Sequence, residues 1–213
     1  MSLKAALVDE IAKGGPIPFD SFMERALYDP DGGFFGSGEL RSQRSGDFLT
    51  SPEVSTLFGE FLARFVQGEL ARIGEPFELV EVGAGSGSLL RPLLESASFG
   101  ATAVEASPAA RLSLEGILGA HRVRATMPDR VRGVILANEL LDNLPMALAQ
   151  RVDGSWRERW VGAGEGDLHL VDAPVRSEVA YWLGRYAGEV DDGGWVEVQL
   201  QAGEWLRGAM ASL

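Results

Sequence analysis

The chain contains no cysteine, which excludes disulfide scaffolds, thiolate zinc sites and cysteine nucleophiles. Histidine is almost as scarce. His121 and His169 are the only two, too few for a multi-histidine metal site and a poor basis for a Ser-His-Asp enzyme; both are expected at the surface. Lys4 and Lys13 are the only lysines, so no glycine run ends in a phosphate-loop lysine, and ordinary nucleotide-triphosphate hydrolysis is disfavoured. No stretch reaches the roughly 20 apolar residues that a membrane-spanning helix needs, and the first residues lack a signal peptide's apolar run. The chain therefore reads as soluble, with no membrane partner, and a cytoplasmic location is expected. Cationic charge is also in deficit: the formal net charge is −12, which repels a phosphate backbone and makes nucleic acid a poor substrate.

What remains is an ordinary globular composition, 213 residues with 46% hydrophobic and 8% aromatic side chains. That is enough for one sizeable α/β domain with an appended subdomain. Leu3, Ala6, Leu7 and Ile11 lie at helical spacing before Gly14-Gly15-Pro16, and a second short helix is expected from Pro18 to Leu27. Turn residues between Tyr28 and Asp47 predict a long loop. Thr50-Ser51-Pro52-Glu53 is a helix start, and the helix is expected to run to Ile73. On it Val54, Leu57, Phe58, Phe61, Leu62, Phe65, Val66 and Leu70 form a broad apolar stripe, most of it read as core.

From Glu78 the pattern becomes strand, turn and helix. Strands are expected at Leu79–Val82, Ala101–Val104, His121–Arg124 and Val131–Ala137, with helices at Ser88–Glu95 and Pro108–Leu118. Alternation at this pitch predicts a parallel, doubly wound sheet. Beyond Pro145 the alternation weakens. Leu148–Val152 and Trp156–Val161 flank Asp153-Gly154-Ser155 and predict a hairpin, followed by helices at Glu178–Ala187 and Ala202–Ala211. The expected division is an N-terminal helical subdomain with a covering loop over 1–76, and a Rossmann-like core over 77–213 carrying a hairpin insertion at 148–161.

The chemistry concentrates at the turn after the first parallel strand. Glu81-Val82-Gly83-Ala84-Gly85-Ser86-Gly87 stands where open α/β sheets bind ligands, at strand ends facing a helix N-terminus. Its glycines let the backbone approach a ligand that a Cβ would obstruct. A dinucleotide fingerprint places its third small residue three positions after the second glycine, at Ser88, whereas this chain has Gly83, Gly85 and Gly87. The carboxylate of Glu81 suits a cationic ligand better than a pyrophosphate. Both details favour S-adenosylmethionine over NAD. Glu105 ends the second strand about twenty residues on, where an acid can accept hydrogen bonds from ribose hydroxyls or cap the helix at Pro108. Asn138-Glu139-Leu140-Leu141-Asp142-Asn143-Leu144-Pro145 follows another buried-type strand and belongs at the same sheet edge, with Asn138 alternatively capping a helix.

The combined motifs resemble the MidA-type methyltransferases, the family that includes the mitochondrial complex I assembly factor that methylates an arginine. The resemblance rests on Phe22-Met23 to Leu27-Tyr28-Asp29-Pro30, Gly33-Phe34-Phe35, Gly46-Asp47-Phe48-Leu49-Thr50-Ser51-Pro52-Glu53, Phe58-Gly59-Glu60, Glu81 to Gly87 and Ala137 to Pro145. It implies a class I methyltransferase fold, C-terminally incomplete, that binds S-adenosylmethionine and acts on a protein arginine. It further implies that Gly46, Asp47, Thr50, Ser51 and Pro52 close over the cofactor, while Asn138, Glu139 and Asp142 border the donor methyl and the acceptor. Phe34 and Phe35 stand where the family usually has tyrosines. After the strand near Val123 the usual adenine-binding acid is absent, with Thr126 to Asp129 in its place. Relatives continue beyond Leu213, so the strand at Val131–Ala137 is expected either to belong to a fragment of a longer protein or to have its edge covered by the hairpin, by a partner or by self-association.

Overall fold

The computed structural model describes residues 2–37, 57–96 and 99–213. In chain order its elements are α1 (Leu3–Gly14), β1 (Ile17–Pro18), α2 (Phe19–Tyr28), α3 (Leu57–Ile73), β2 (Glu78–Val82), α4 (Leu90–Ser96), β3 (Gly100–Val104), α5 (Pro108–Leu118), β4 (Val123–Arg124), β5 (Gly133–Ala137), β6 (Ala147–Val152), β7 (Ser155–Gly164), β8 (Asp167–Ala173), α6 (Ser177–Tyr186), β9 (Trp195–Val198) and α7 (Leu200–Ser212). Single 3-10 turns occupy Ala120–Arg122 and Leu141–Asn143. The chain forms two compact units: residues 1–33 with 142–206, and residues 34–141 with 207–213.

The second unit holds a four-stranded parallel sheet in the order β4-β3-β2-β5. β2 lies inside it, so residues Leu79 to Val82 are all buried, the reason this strand reads as an almost unbroken apolar run. Glu81 is the exception. Leu79, Leu90, Leu93 and Leu114 are completely buried in one core with Ala63, Val66, Ala101 and Ala103, each contributing about 2 kcal/mol of apolar burial. Ser107 caps α5, its side chain accepting from the amide of Ala110, and Pro108 occupies the first helical position, where its missing N–H costs nothing. β5 is an edge strand among the described residues and only half-buried along its length. At its entrance the amide of Val131 donates to the carbonyl of Ser212 at 2.7 Å.

The apolar stripe expected on α3 is split. Gly59, Ala63 and Val66 face the core, whereas Leu57, Phe61 and Phe65 are 69%, 70% and 56% exposed. The sequence reading of most of this stripe as core is corrected at Leu57, Phe61 and Phe65: a helix laid on one sheet face buries only about one stripe, and this one is apolar over a wider arc.

The first unit is built on an antiparallel sheet in the order β1-β7-β6-β9, with β8 also paired to β7. The expected hairpin is present as β6 and β7, in register from Leu148 opposite Arg159 to Val152 opposite Ser155. It extends into five strands because the segments around β8 and β9 find partners that no local pattern announces. Within it β6 pairs with β7 and β9, and β7 pairs with β1 and β8. Ala147, Ala149, Val179, Leu183 and Val198 form this unit's own core. Glu158 is completely buried on β7; both its oxygens are taken by Arg176, which also reaches Asp20 on α2 at 2.7 Å. A buried carboxylate requires such pairing.

Candidate functional site

Parallel pairing puts the C-terminal ends of β2, β3 and β5 level, with Val82 opposite both Val104 and Ala137. Everything that leaves those three ends converges on one edge. The chain turns out of β2 through Gly83, whose amide donates to the carbonyl of Val104 at 2.9 Å. Gly83, Gly85 and Gly87 all have positive φ, at 73°, 53° and 78°, a region that side chains with a Cβ resist. Their surroundings differ. A Cβ at Gly87 would lie 2.5 Å from Ile117 Cδ1 and 3.1 Å from Leu114 Cδ2, so this glycine serves the packing of α5. A Cβ at Gly83 would meet Leu140 at 3.1 Å. At Gly85 nothing among the described residues lies within 4 Å of such a Cβ.

Glu105 locks the loop from the neighbouring strand. One carboxylate oxygen accepts the Gly85 amide at 2.9 Å and the other the Ser107 amide at 2.8 Å. Each oxygen keeps a further lone pair for another donor. The guanidinium of Arg111 donates to the carbonyl oxygens of Glu105 and Ala106, holding this turn to α5. Glu105 thus holds the amide of Ser107, the residue that caps α5.

Glu81 is 3% exposed. It shares a face of β2 with Leu79, and its cross-strand neighbours are Ala103 and Leu136, none of which offers a donor. Its Oε2 has no hydrogen-bond partner among the described residues. Burial, and then the negative charge of Glu105, push its carboxyl up to about 8. A side chain this costly to bury without a partner fits a site whose partner is a cationic group brought by a ligand.

Past β5, Asn138 is half-buried and Glu139 exposed. Glu139 has φ 50°, an uncommon conformation for a residue with a side chain. The segment that follows forms the 3-10 turn Leu141–Asn143 and no helix begins there, so Asn138 does not cap one. Asp142 is exposed in that turn and belongs to the other compact unit. Gly46, Asp47, Thr50, Ser51 and Pro52 lie outside the described residues. Sequence reasoning missed Ser107, Arg111 and Leu140 as supports of the loop. The Ser107-Pro108 pair, a helix cap signature, was the available signal for the first.

Residues 61–213 match the family described as "Putative S-adenosyl-L-methionine-dependent methyltransferase". The chain belongs to this family. The mitochondrial protein arginine methyltransferase NDUFAF7 homolog of Drosophila melanogaster is 30% identical over 201 residues, covering 78% of this chain and 46% of that protein. The NDUFAF7 protein of Danio rerio, with the same printed activity, is 29% identical over 194 residues, covering 74% and 46%. A crystal structure from Burkholderia thailandensis, bound to S-adenosyl-homocysteine, is similar with TM-score 0.85 and 33% identity over 97% of this chain and 58% of that one. The expected class I methyltransferase fold is borne out. The chain spans about half the length of the curated relatives it matches. Among the described residues, no helix is long and apolar enough to cross a membrane.

Proposed function

We propose that this chain binds S-adenosylmethionine at the C-terminal edge of its parallel sheet and is the cofactor-bearing part of an enzyme that methylates a protein arginine. The observation that carries the reading is the buried carboxylate of Glu81, whose Oε2 has no hydrogen-bond partner among the described residues, at the end of the strand that turns into Gly83 and Gly85. Glu81 supplies negative charge for the methionine end of the cofactor. Gly83, Gly85 and Gly87 allow the backbone to approach it, and Glu105 accepts from the ribose hydroxyls while holding Gly85 and Ser107 in place. By family resemblance, Gly46, Asp47, Thr50, Ser51 and Pro52 cover the cofactor, and Asn138, Glu139 and Asp142 border the donor methyl and acceptor. When bound, S-adenosylmethionine supplies an electrophilic methyl group carried on a sulfonium.

Methyl transfer asks the protein chiefly for alignment and exclusion of water. Glu139 is assigned to orient the acceptor guanidinium, which a carboxylate grips through paired charge-assisted hydrogen bonds. Its left-handed backbone supports a functional placement, because such strain concentrates at working sites. The Glu139→Gln variant should keep cofactor affinity and lose about a hundredfold in transfer rate on a verified substrate; an unchanged rate removes Glu139 from the mechanism. Labelled cofactor in whole-cell lysate, comparing this chain with one extended beyond Leu213, identifies the acceptor as protein or not.

The printed activity of the two NDUFAF7 relatives supports a protein acceptor, and the cysteine-free composition is compatible with action in the cytoplasm. A second reading is a methyltransferase-like binding module that holds a partner protein and catalyses little. Calorimetry separates the two at the first step: failure to bind S-adenosylmethionine at about millimolar concentration favours the module. Self-association through the edge of β5 belongs to the same proposal, and sedimentation of the chain as a strict monomer at high concentration removes it.

A further inference from the structure

The two acids at the sheet edge are held in opposite ways. Glu105 is satisfied by the amides of Gly85 and Ser107 at 2.9 and 2.8 Å, which fixes its charge in place. Glu81 is buried between Ala103 and Leu136 with Oε2 unpartnered. An ionised carboxylate in that position faces both desolvation and the fixed charge of Glu105, with no local donor to offset either.

We propose that Glu81 selects for a ligand bearing an ammonium by exchanging its own proton for that cation, releasing one proton to solvent when the methionine end of the cofactor enters and recovering it when the ligand leaves. The inference rests on the cofactor reading above and adds a proton to its stoichiometry. In the absence of ligand Glu81 is the neutral acid. Arrival of an ammonium stabilises the carboxylate form, the O–H bond of the acid breaks, and its proton passes to solvent. A ligand that carries the nucleoside but no ammonium leaves the acid protonated and gains nothing from Glu81.

Among the described residues, the charged groups on the elements next to β2 give Glu81 no ion pair. Glu105 follows β3 and Glu139 follows β5, both acids. Arg111 of α5 is engaged by the carbonyl oxygens of Glu105 and Ala106. Arg124 ends β4 with its side chain exposed, Arg91 of α4 is exposed, and Glu60 and Arg64 of α3 are exposed away from the core-facing Gly59 and Ala63. Among these described groups, the charge that acts on Glu81 is that of Glu105, and the raised carboxyl of Glu81 accords with a neutral form before ligand binds.

The test is calorimetric titration of the chain with S-adenosyl-homocysteine, at about pH 6.5, in buffers of different ionisation enthalpy, which counts the protons released. At that pH an α-amino group is already an ammonium, so the ligand contributes no proton of its own. The wild-type chain should release about one proton per ligand, and Glu81→Gln about none. With 5′-methylthioadenosine, which lacks the ammonium, neither should release any. Equal proton counts for wild type and Glu81→Gln with S-adenosyl-homocysteine overturn the proposal and leave cofactor binding intact. Absence of binding by the wild-type chain overturns the cofactor reading itself. Should Glu81→Gln fail to bind, infrared spectra of the ligand-free chain with ¹³C-labelled glutamate decide: a protonated-carboxyl band near neutral pH that disappears in Glu81→Gln supports the proposal, and its absence from the wild type overturns it.

Discussion

Glu81 is the clearest case of one side chain set against its surroundings. Its carboxyl is pushed from the ordinary 4.5 to about 8, so across that interval the native chain holds a proton that the unfolded chain has already lost. Its contribution to stability is therefore fully present below about pH 4.5 and is lost as pH rises through about 8. The full displacement corresponds to on the order of 5 kcal/mol. Urea denaturation of the ligand-free chain should show wild type losing ground steadily to Glu81→Gln between pH 5 and 9, by several kcal/mol in all; parallel stability curves would show that Glu81 is already ionised. The loop glycines make a second contrast. Gly87→Ala drives a Cβ into Ile117 and Leu114 and should destabilise the fold by about 2–3 kcal/mol through overpacking and positive φ. Gly85→Ala meets no neighbour and should cost about 1 kcal/mol in stability while weakening cofactor binding by about tenfold or more. Thermal melts with and without S-adenosyl-homocysteine separate the two effects. The placement of Glu81, Gly85 and Glu105 at the ends of neighbouring strands was legible from spacing; the unsatisfied oxygen of Glu81 and the lock of Glu105 on Gly85 and Ser107 were not, because they depend on which strands lie side by side.

At the level of elements, the helix α3 shows where periodicity stops being informative. Its apolar residues cover too wide an arc for one packing stripe, and the sequence has no means of choosing the buried part. Packing chooses Ala63 and Val66, each 1% exposed, over Phe61 and Phe65. Val66→Ala should therefore cost roughly 2 kcal/mol, and Phe61→Glu less than about 1 kcal/mol, measured by chemical denaturation. A large loss at Phe61 would return it to the core. The parallel strands β2, β3 and β5 and the helix α5 were legible to within two residues, since each carries its own signal: a buried apolar run, or a capping serine and proline. β8 and β9 were not. Both are half-exposed, and their strand character comes from pairing with β7 and β6.

For the whole molecule, the dominant quantity is a net charge of −12, which acts at long range and independently of fold detail. Duplex DNA or RNA should show no retention by this chain in filter binding at about 0.1 M salt and micromolar protein; salt-sensitive binding would reveal a segregated cationic face. The two compact units are assembled from chain segments far apart in sequence, residues 1–33 joining 142–206. No composition boundary marks this division, because it is made by β1 pairing with β7 and by Arg176 bridging Asp20 and Glu158.

By itself the sequence determined the parallel α/β architecture, the position of the glycine loop and its acids, and the family, since periodicity, turn chemistry and motif spacing are local and survive without coordinates. Only the tertiary structure decided that Glu105 is occupied by backbone amides while Glu81 is buried without a donor, that the hairpin grows into a five-stranded sheet, and which face of α3 is covered. Those are facts about neighbours brought together from distant parts of the chain, and burial and hydrogen-bond satisfaction exist only once the neighbours are in place.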